Sequence, residues 1–158
     1  EAANKFVIID TAPTGHTLLL LDATGAFHRD STRHQPDANG STSPLMRLRD
    51  PSQTKILLVA LPETTPVLEA AALQEDLRRA GIEPWAWILN ASLAVAGPTN
   101  PLLVARARAE RTQIATVQQQ YASRLAILPW VREEPVGPAA LRALSRLTSP
   151  VQSRPLQN

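Results

Sequence analysis

No cysteine occurs anywhere in the chain, which excludes disulfides, thiolate metal sites and cysteine nucleophiles within these residues. Soft-metal binding is left to three histidines, His16, His28 and His34, and none of them has the paired spacing of a zinc site. Lysine is almost as scarce. The only two are Lys5, after Asn4, and Lys55, after Thr54, so no G-x-x-x-x-G-K-[ST] phosphate-binding loop is present. The six glycines, at 15, 25, 40, 81, 97 and 137, include no pair two apart, which removes the dinucleotide fingerprint. No G-x-S-x-G elbow supports Ser/His/Asp hydrolysis.

Long apolar runs are missing too. None approaches the roughly 20 residues of a membrane helix, and no basic segment followed by an apolar run marks a signal peptide, so a cytoplasmic protein is expected. The pI of about 9.7 looks basic. Yet 16 cations against 14 anions leave a net charge of only +2, so nucleic acid is not an expected partner.

What is present suits one soluble domain: 158 residues, 44% hydrophobic and 19% charged. Short apolar runs at Phe6 to Asp10, Ile56 to Leu61, Trp85 to Asn90 and Leu125 to Pro129 read as strands. Helical stretches lie between them. Thr65-Pro66 supplies a helix start, Ala70, Leu73, Leu77 and Ala80 one face, and Gly81 the stop. Asn100-Pro101 opens the next helix, with a core face of Leu103, Ala107, Ile114, Val117 and Tyr121, and with Arg106, Arg108, Glu110 and Arg111 as a solvated surface. A short helix is expected near Pro44 to Arg49 and another after Gly137, carrying Leu141, Leu144 and Leu147. Arg29 to Pro44 reads as a polar surface loop and residues 148–158 as a disordered tail.

Strands alternating with helices imply right-handed crossovers and an α/β fold, a doubly wound parallel sheet. In such sheets all strands aim their carboxyl ends at one crevice, where ligands bind. Four positions should meet there: Asp10, Pro62-Glu63, Asn90 and Pro129. Asp10 suits Mg²⁺ as a hard oxygen ligand, or serves as a turn former. Asn90 carries a donor and an acceptor on one planar group, which suits a purine edge, although Asn also commonly opens loops. Pro129 can only pack, as a flat wall against a base. Glu63 places a negative charge near the start of its helix.

The run Asp10-Thr11-Ala12-Pro13-Thr14-Gly15-His16-Thr17 resembles, residue for residue, the switch sequence of the arsenical pump-driving (ArsA) ATPases and of their relatives that target tail-anchored membrane proteins. The resemblance continues through Leu18 to Asp22, Leu61 to Ala70 and Pro84 to Asn90, and reaches about Leu147. It is strongest to the second nucleotide-binding half of ArsA. It implies a P-loop NTPase-type sheet, here partial because the P-loop strand lies upstream in that family, with residues 1–147 forming the switch and adenine-pocket side. Also implied are ATP and Mg²⁺ as cofactors, arsenite or antimonite as activator, and hydrolysis that drives a membrane arsenite pump.

By that resemblance Asp10 is the catalytic switch aspartate, holding Mg²⁺ through a water, and Thr11, Ala12, Pro13, Thr14, Gly15, His16 and Thr17 transmit the nucleotide state. His16 lies at the metalloid site. Asn90 and Pro129 line the adenine pocket. The implied partners are the pump subunit and a second nucleotide-binding half or subunit, with the protein cytoplasmic and peripheral to the inner membrane when bound to the pump. Ala91 departs from the family, which often has Asn or Gln there. The segment alone is expected to be inactive. A second reading is a targeting ATPase that binds a client's hydrophobic helix, but such relatives carry a Met-rich apolar insert, whereas Arg29 to Pro44 is polar and the chain holds one methionine, Met46. A third is an inert remnant.

Overall fold

The computed structural model describes residues 6–10, 44–147 and 149–151. It forms two units, Glu1–Leu48 and Arg49–Asn158. In the first, residues 6–10 adopt no regular secondary structure, and Phe6, Val7, Ile8 and Ile9 are 77–84% exposed. This corrects the buried strand expected there. An apolar run has no hydrogen bonds of its own and becomes a two-faced strand only when neighbours pair with it, and these residues join no ladder. Helix α1, Pro44–Arg49, falls where it was expected.

The second unit is a four-stranded sheet in the order β1 (Leu57–Ala60), β2 (Ala86–Ser92), β3 (Leu125–Pro129) and β4 (Ser149–Val151). The first three strands run parallel, with Leu58 beside Trp87 and Leu89 beside Ile127. β4 pairs antiparallel with β3, Leu125 opposite Val151, within the stretch expected to be a disordered tail. The fold is thus an α/β layer consistent with a partial P-loop NTPase-type sheet.

Helix α2, Thr64–Arg79, has Glu63 at its cap position in place of the expected Thr65 and so begins two residues early. Pro66 still fits the first turn, because its missing N–H would have had no intrahelical partner there. The helix ends in a Schellman motif: Gly81 N–H donates to the Arg78 carbonyl and Ile82 N–H to the Leu77 carbonyl, both at 2.9 Å. Gly81 takes the left-handed conformation this requires, φ +75°. The buried face is Val67, Ala70, Gln74 and Leu77, so Gln74 replaces the expected Leu73. Its amide oxygen accepts the indole N–H of buried Trp87 at 2.5 Å, and its nitrogen donates to the Tyr121 carbonyl at 3.1 Å.

A single-turn helix α3, Leu93–Ala96, follows β2. Helix α4, Pro101–Thr116, opens as expected, with the Asn100 side chain accepting from Leu102 N–H at 3.0 Å. It continues as a π-helical turn, Val117–Tyr121, closed by Ala122 N–H on the Val117 carbonyl. Tyr121 stacks on Trp87 with centroids 5.7 Å apart. Helix α5, Gly137–Arg146, buries none of its residues.

Leu58, Ala60, Trp87, Leu89, Leu125 and Ile127 pack on one face of the sheet with residues of α2 and α4. The other face of β1 is open. Leu57 and Val59 are 45% and 60% exposed.

Candidate functional site

Parallel pairing sends the ends of β1, β2 and β3 to the same edge, and the structure brings three of the four expected positions to it. Pro62 is fully buried after β1. Asn90 stands exposed near the end of β2, and half-buried Pro129 closes β3, in register with Ser92. Trp130 N–H, donating to the Ser92 carbonyl at 2.9 Å, ties the two strand ends together.

Asp10, the fourth position, is an exposed residue of the first unit. Thr11, Ala12, Pro13, Thr14, Gly15, His16 and Thr17 lie outside the described residues, as do His28 and His34. Among the described residues no three His, Cys, Asp or Glu side chains gather as a metal site. A single exposed aspartate fits Mg²⁺, which keeps most of its waters and uses one or two protein carboxylates.

A cleft of about 370 Å³ lies between the first turn of α2 and α4, bordered by Pro62, Glu63, Thr64, Arg106, Glu110 and Gln113. Glu63 is paired with Arg106 across its mouth, and Gln113 Nε2 donates to Thr64 Oγ at 3.2 Å. Glu63 therefore acts as an ion-pair partner as well as a charge at the helix start, an exposed pairing of small energetic weight.

A bulge at the end of β2 holds what the sequence did not announce. The parallel register slips between Leu89 and Ser92, and Ala91 takes φ +53°, the only positive φ at a non-glycine residue among the described residues. For an alanine this costs about 1–2 kcal/mol. In that conformation Ala91 N–H donates to Asn90 Oδ1 at 2.9 Å. Ser92 is completely buried, and its hydroxyl donates to Glu110 Oε2 at 3.0 Å. The same oxygen accepts Ala94 N–H at 3.0 Å.

Glu110 is thus 4% exposed, not part of the solvated surface assigned to it from the sequence. It is buried because it satisfies two donors that would otherwise be stranded away from water. Its position was legible in one respect: 110 continues the spacing of Ala107, Ile114 and Val117 on the core face. Ala91 carried no such signal.

Among the described residues no helix is long and apolar enough to cross a membrane. Residues 40–149 match the anion-transporting ATPase family. An arsenical pump-driving ATPase of Escherichia coli is 58% identical over 144 residues, 91% of this chain and 25% of that protein. One from Acidiphilium multivorum is 56% identical over 144 residues, again 91% of the chain and 25% of the relative. A putative arsenical pump-driving ATPase of Halobacterium salinarum is 32% identical over 150 residues, 90% of the chain and 23% of the relative. The chain thus spans about a quarter of the length of these relatives. With the family match covering more than half of its residues, the chain belongs to the anion-transporting ATPase (ArsA) family.

Proposed function

We propose that the protein carrying this chain is an ATP-hydrolysing subunit that drives arsenite or antimonite efflux through a membrane pump. The observation that carries the reading is 58% identity, over 91% of the chain, to a protein named an arsenical pump-driving ATPase. Within it, this segment supplies the responding side of the nucleotide site. Asp10 would hold Mg²⁺, which when bound would neutralise charge on the transferring phosphoryl group. Thr11 to Thr17 carry the nucleotide state onward, with His16 at the metalloid site. Asn90 meets the base edge and Pro129 packs against its face; both stand at the carboxyl end of the parallel strands, where open α/β sheets bind ligands.

Phosphoryl transfer is mostly positioning and charge stabilisation, and neither Lys5 nor Lys55 sits in a glycine-rich loop. The segment alone is therefore inactive in this reading, and a second nucleotide-binding half or subunit completes the machine. The protein works in the cytoplasm, peripheral to the inner membrane when docked on its pump.

The test is arsenite-stimulated ATP hydrolysis by the full-length protein carrying this chain. Wild type should respond to arsenite, and Asp10→Ala should lose at least about two orders of magnitude in turnover, as when a charge-stabilising group is removed. Undiminished turnover in that variant would remove Asp10 from the mechanism. Co-purification with a client's membrane-anchor helix, without an arsenite response, would favour a targeting ATPase instead.

A further inference from the structure

The bulge at the end of β2 is held by a buried bracket that nucleotide binding does not by itself require. Both the hydroxyl and the carbonyl of Ser92 are engaged in it. Its hydroxyl donates to Glu110 Oε2 at 3.0 Å and accepts Val95 N–H at 3.4 Å, while its carbonyl accepts Trp130 N–H at 2.9 Å. Glu110 Oε2 also takes Ala94 N–H at 3.0 Å, so one oxygen on α4 clamps two points of the chain beyond Ala91. Upstream, Leu89 is fully buried in the sheet. Ala91 is thereby confined between two fixed points, and its φ of +53° is a conformation that alanine keeps only where its surroundings impose it.

That conformation sets the direction of an amide. Ala91 N–H donates to Asn90 Oδ1, which pins the amide in one orientation and leaves the second lone pair of Oδ1 and the NH₂ to face a ligand in a fixed order. An unrestrained amide can turn over, offering donor and acceptor in either order, and so can match an adenine edge or a guanine edge. A locked amide cannot. Adenine presents an amino donor beside a ring-nitrogen acceptor, the pattern an Asn side chain reads as a pair, whereas guanine puts a carbonyl oxygen where adenine has the amino group. With the amide fixed, the guanine oxygen meets Oδ1 and neither gains a hydrogen bond.

We propose that Glu110 is a positioning residue for base selection: through Ser92 and Ala94 it holds Ala91 in the left-handed turn that locks the Asn90 amide, and so makes the site discriminate adenine from guanine nucleotides. Glu110 touches no nucleotide in this scheme. The inference rests on the reading above that Asn90 meets the base.

The experiment compares hydrolysis of ATP and GTP by the full-length protein and its Glu110→Ala, Glu110→Gln, Ser92→Ala and Asn90→Ala variants. The quantity read is the ratio of kcat/KM for the two nucleotides. Wild type should prefer ATP by roughly tenfold or more, the scale on which one amide–base pair discriminates. Glu110→Ala should bring the ratio near one through a raised KM for ATP, with kcat little changed. Ser92→Ala should move it in the same direction by a smaller factor. Glu110→Gln, whose amide oxygen can accept both donors, should restore the wild-type ratio.

A general loss of folding would depress both nucleotides alike, so an unchanged ratio with lower turnover in Glu110→Ala overturns the proposal. A wild-type ratio near one, or a relaxed ratio in Glu110→Gln, overturns it as well. If Glu110→Ala does not fold, Ser92→Ala decides alone, and an unchanged ratio there counts against the bracket. Asn90→Ala separates the two levels of argument. A relaxed ratio in that variant with wild-type ratios in the Glu110 and Ser92 variants sinks only the positioning role; an unchanged ratio in Asn90→Ala sinks the base contact itself and the inference with it.

Discussion

Gln74→Met tests whether the polar pair inside the core specifies the packing of α2 on β2. Gln74 and Trp87 are each 2% exposed, and water cannot take over when the amide is removed. The indole N–H, now bonded to Gln74 Oε1 at 2.5 Å, would be left buried without an acceptor, at a cost of about 1–3 kcal/mol. The Tyr121 carbonyl loses its 3.1 Å donor as well, but Tyr121 is only half-buried, so solvent can replace most of that bond. Methionine has similar length and fills irregular space, which limits any cavity. The net expectation is about 2 kcal/mol of destabilisation, or about 9 °C in Tm for a unit of this size.

Equilibrium urea unfolding followed by far-UV circular dichroism reads this directly, and Trp87→Phe supplies the matching perturbation. With the indole N–H gone, Gln74→Met should cost distinctly less, giving a coupling energy of about 1–2 kcal/mol in the double-mutant cycle. Strict additivity, or a single-variant cost below about 0.5 kcal/mol, would refute the claim that the Trp87 N–H depends on Gln74.

Two further expectations rest on local geometry. Gly81→Ala should destabilise by about 1–2 kcal/mol, because the residue sits at φ +75°, while the added Cβ meets only the Arg49 side chain, at 3.4 Å or more; an unchanged urea midpoint would contradict the Schellman cap. Asp50 is held below the usual carboxylate range by the Ser52 hydroxyl first, then by the Ser52 N–H and by Gln53. A depressed folded-state pKa means that its contribution is present above the unfolded carboxyl value and lost as pH falls through the folded one. Side-chain carboxyl NMR should find Asp50 titrating below ordinary aspartates, with Ser52→Ala moving it upward, and no movement would assign the shift elsewhere.

The parts of the fold that were legible from sequence are those fixed by local chemistry. Asn100-Pro101 starts α4 because the side chain caps Leu102 N–H and proline needs no donor in the first turn. Gly81 stops α2 because only glycine takes the left-handed cap without strain. Leu125 to Pro129 became β3 with the expected bounds. What escaped depends on partners distant in sequence. Phe6 to Ile9 has the composition of a buried strand, yet composition cannot supply the neighbours whose hydrogen bonds would make it one. Gln74 displaced Leu73 from the core face because an indole 13 residues away needed an acceptor. The site divides in the same way: Asn90 and Pro129 stand at strand ends as the topology required, while the turn that orients Asn90 depends on Glu110, reached only through the packing of α4.

The distribution of buried polar groups says which part of the second unit is specified rather than merely stabilised. Among the described residues only Gln74, Ser92 and Glu110 are buried polar or charged side chains, and two of the three converge on the bulge at the end of β2. A leucine at 110 would bury apolar surface without the desolvation cost of a carboxylate, so stability alone does not select glutamate there. It would, however, strand the Ser92 hydroxyl and the Ala94 N–H, and alternative turns that point those donors at water would become competitive. Glu110 gives the Ser92 hydroxyl and the Ala94 N–H their acceptor beside the strained bulge at Ala91. The cost of that bulge falls beside Asn90, an exposed carboxamide near the carboxyl end of the parallel strands.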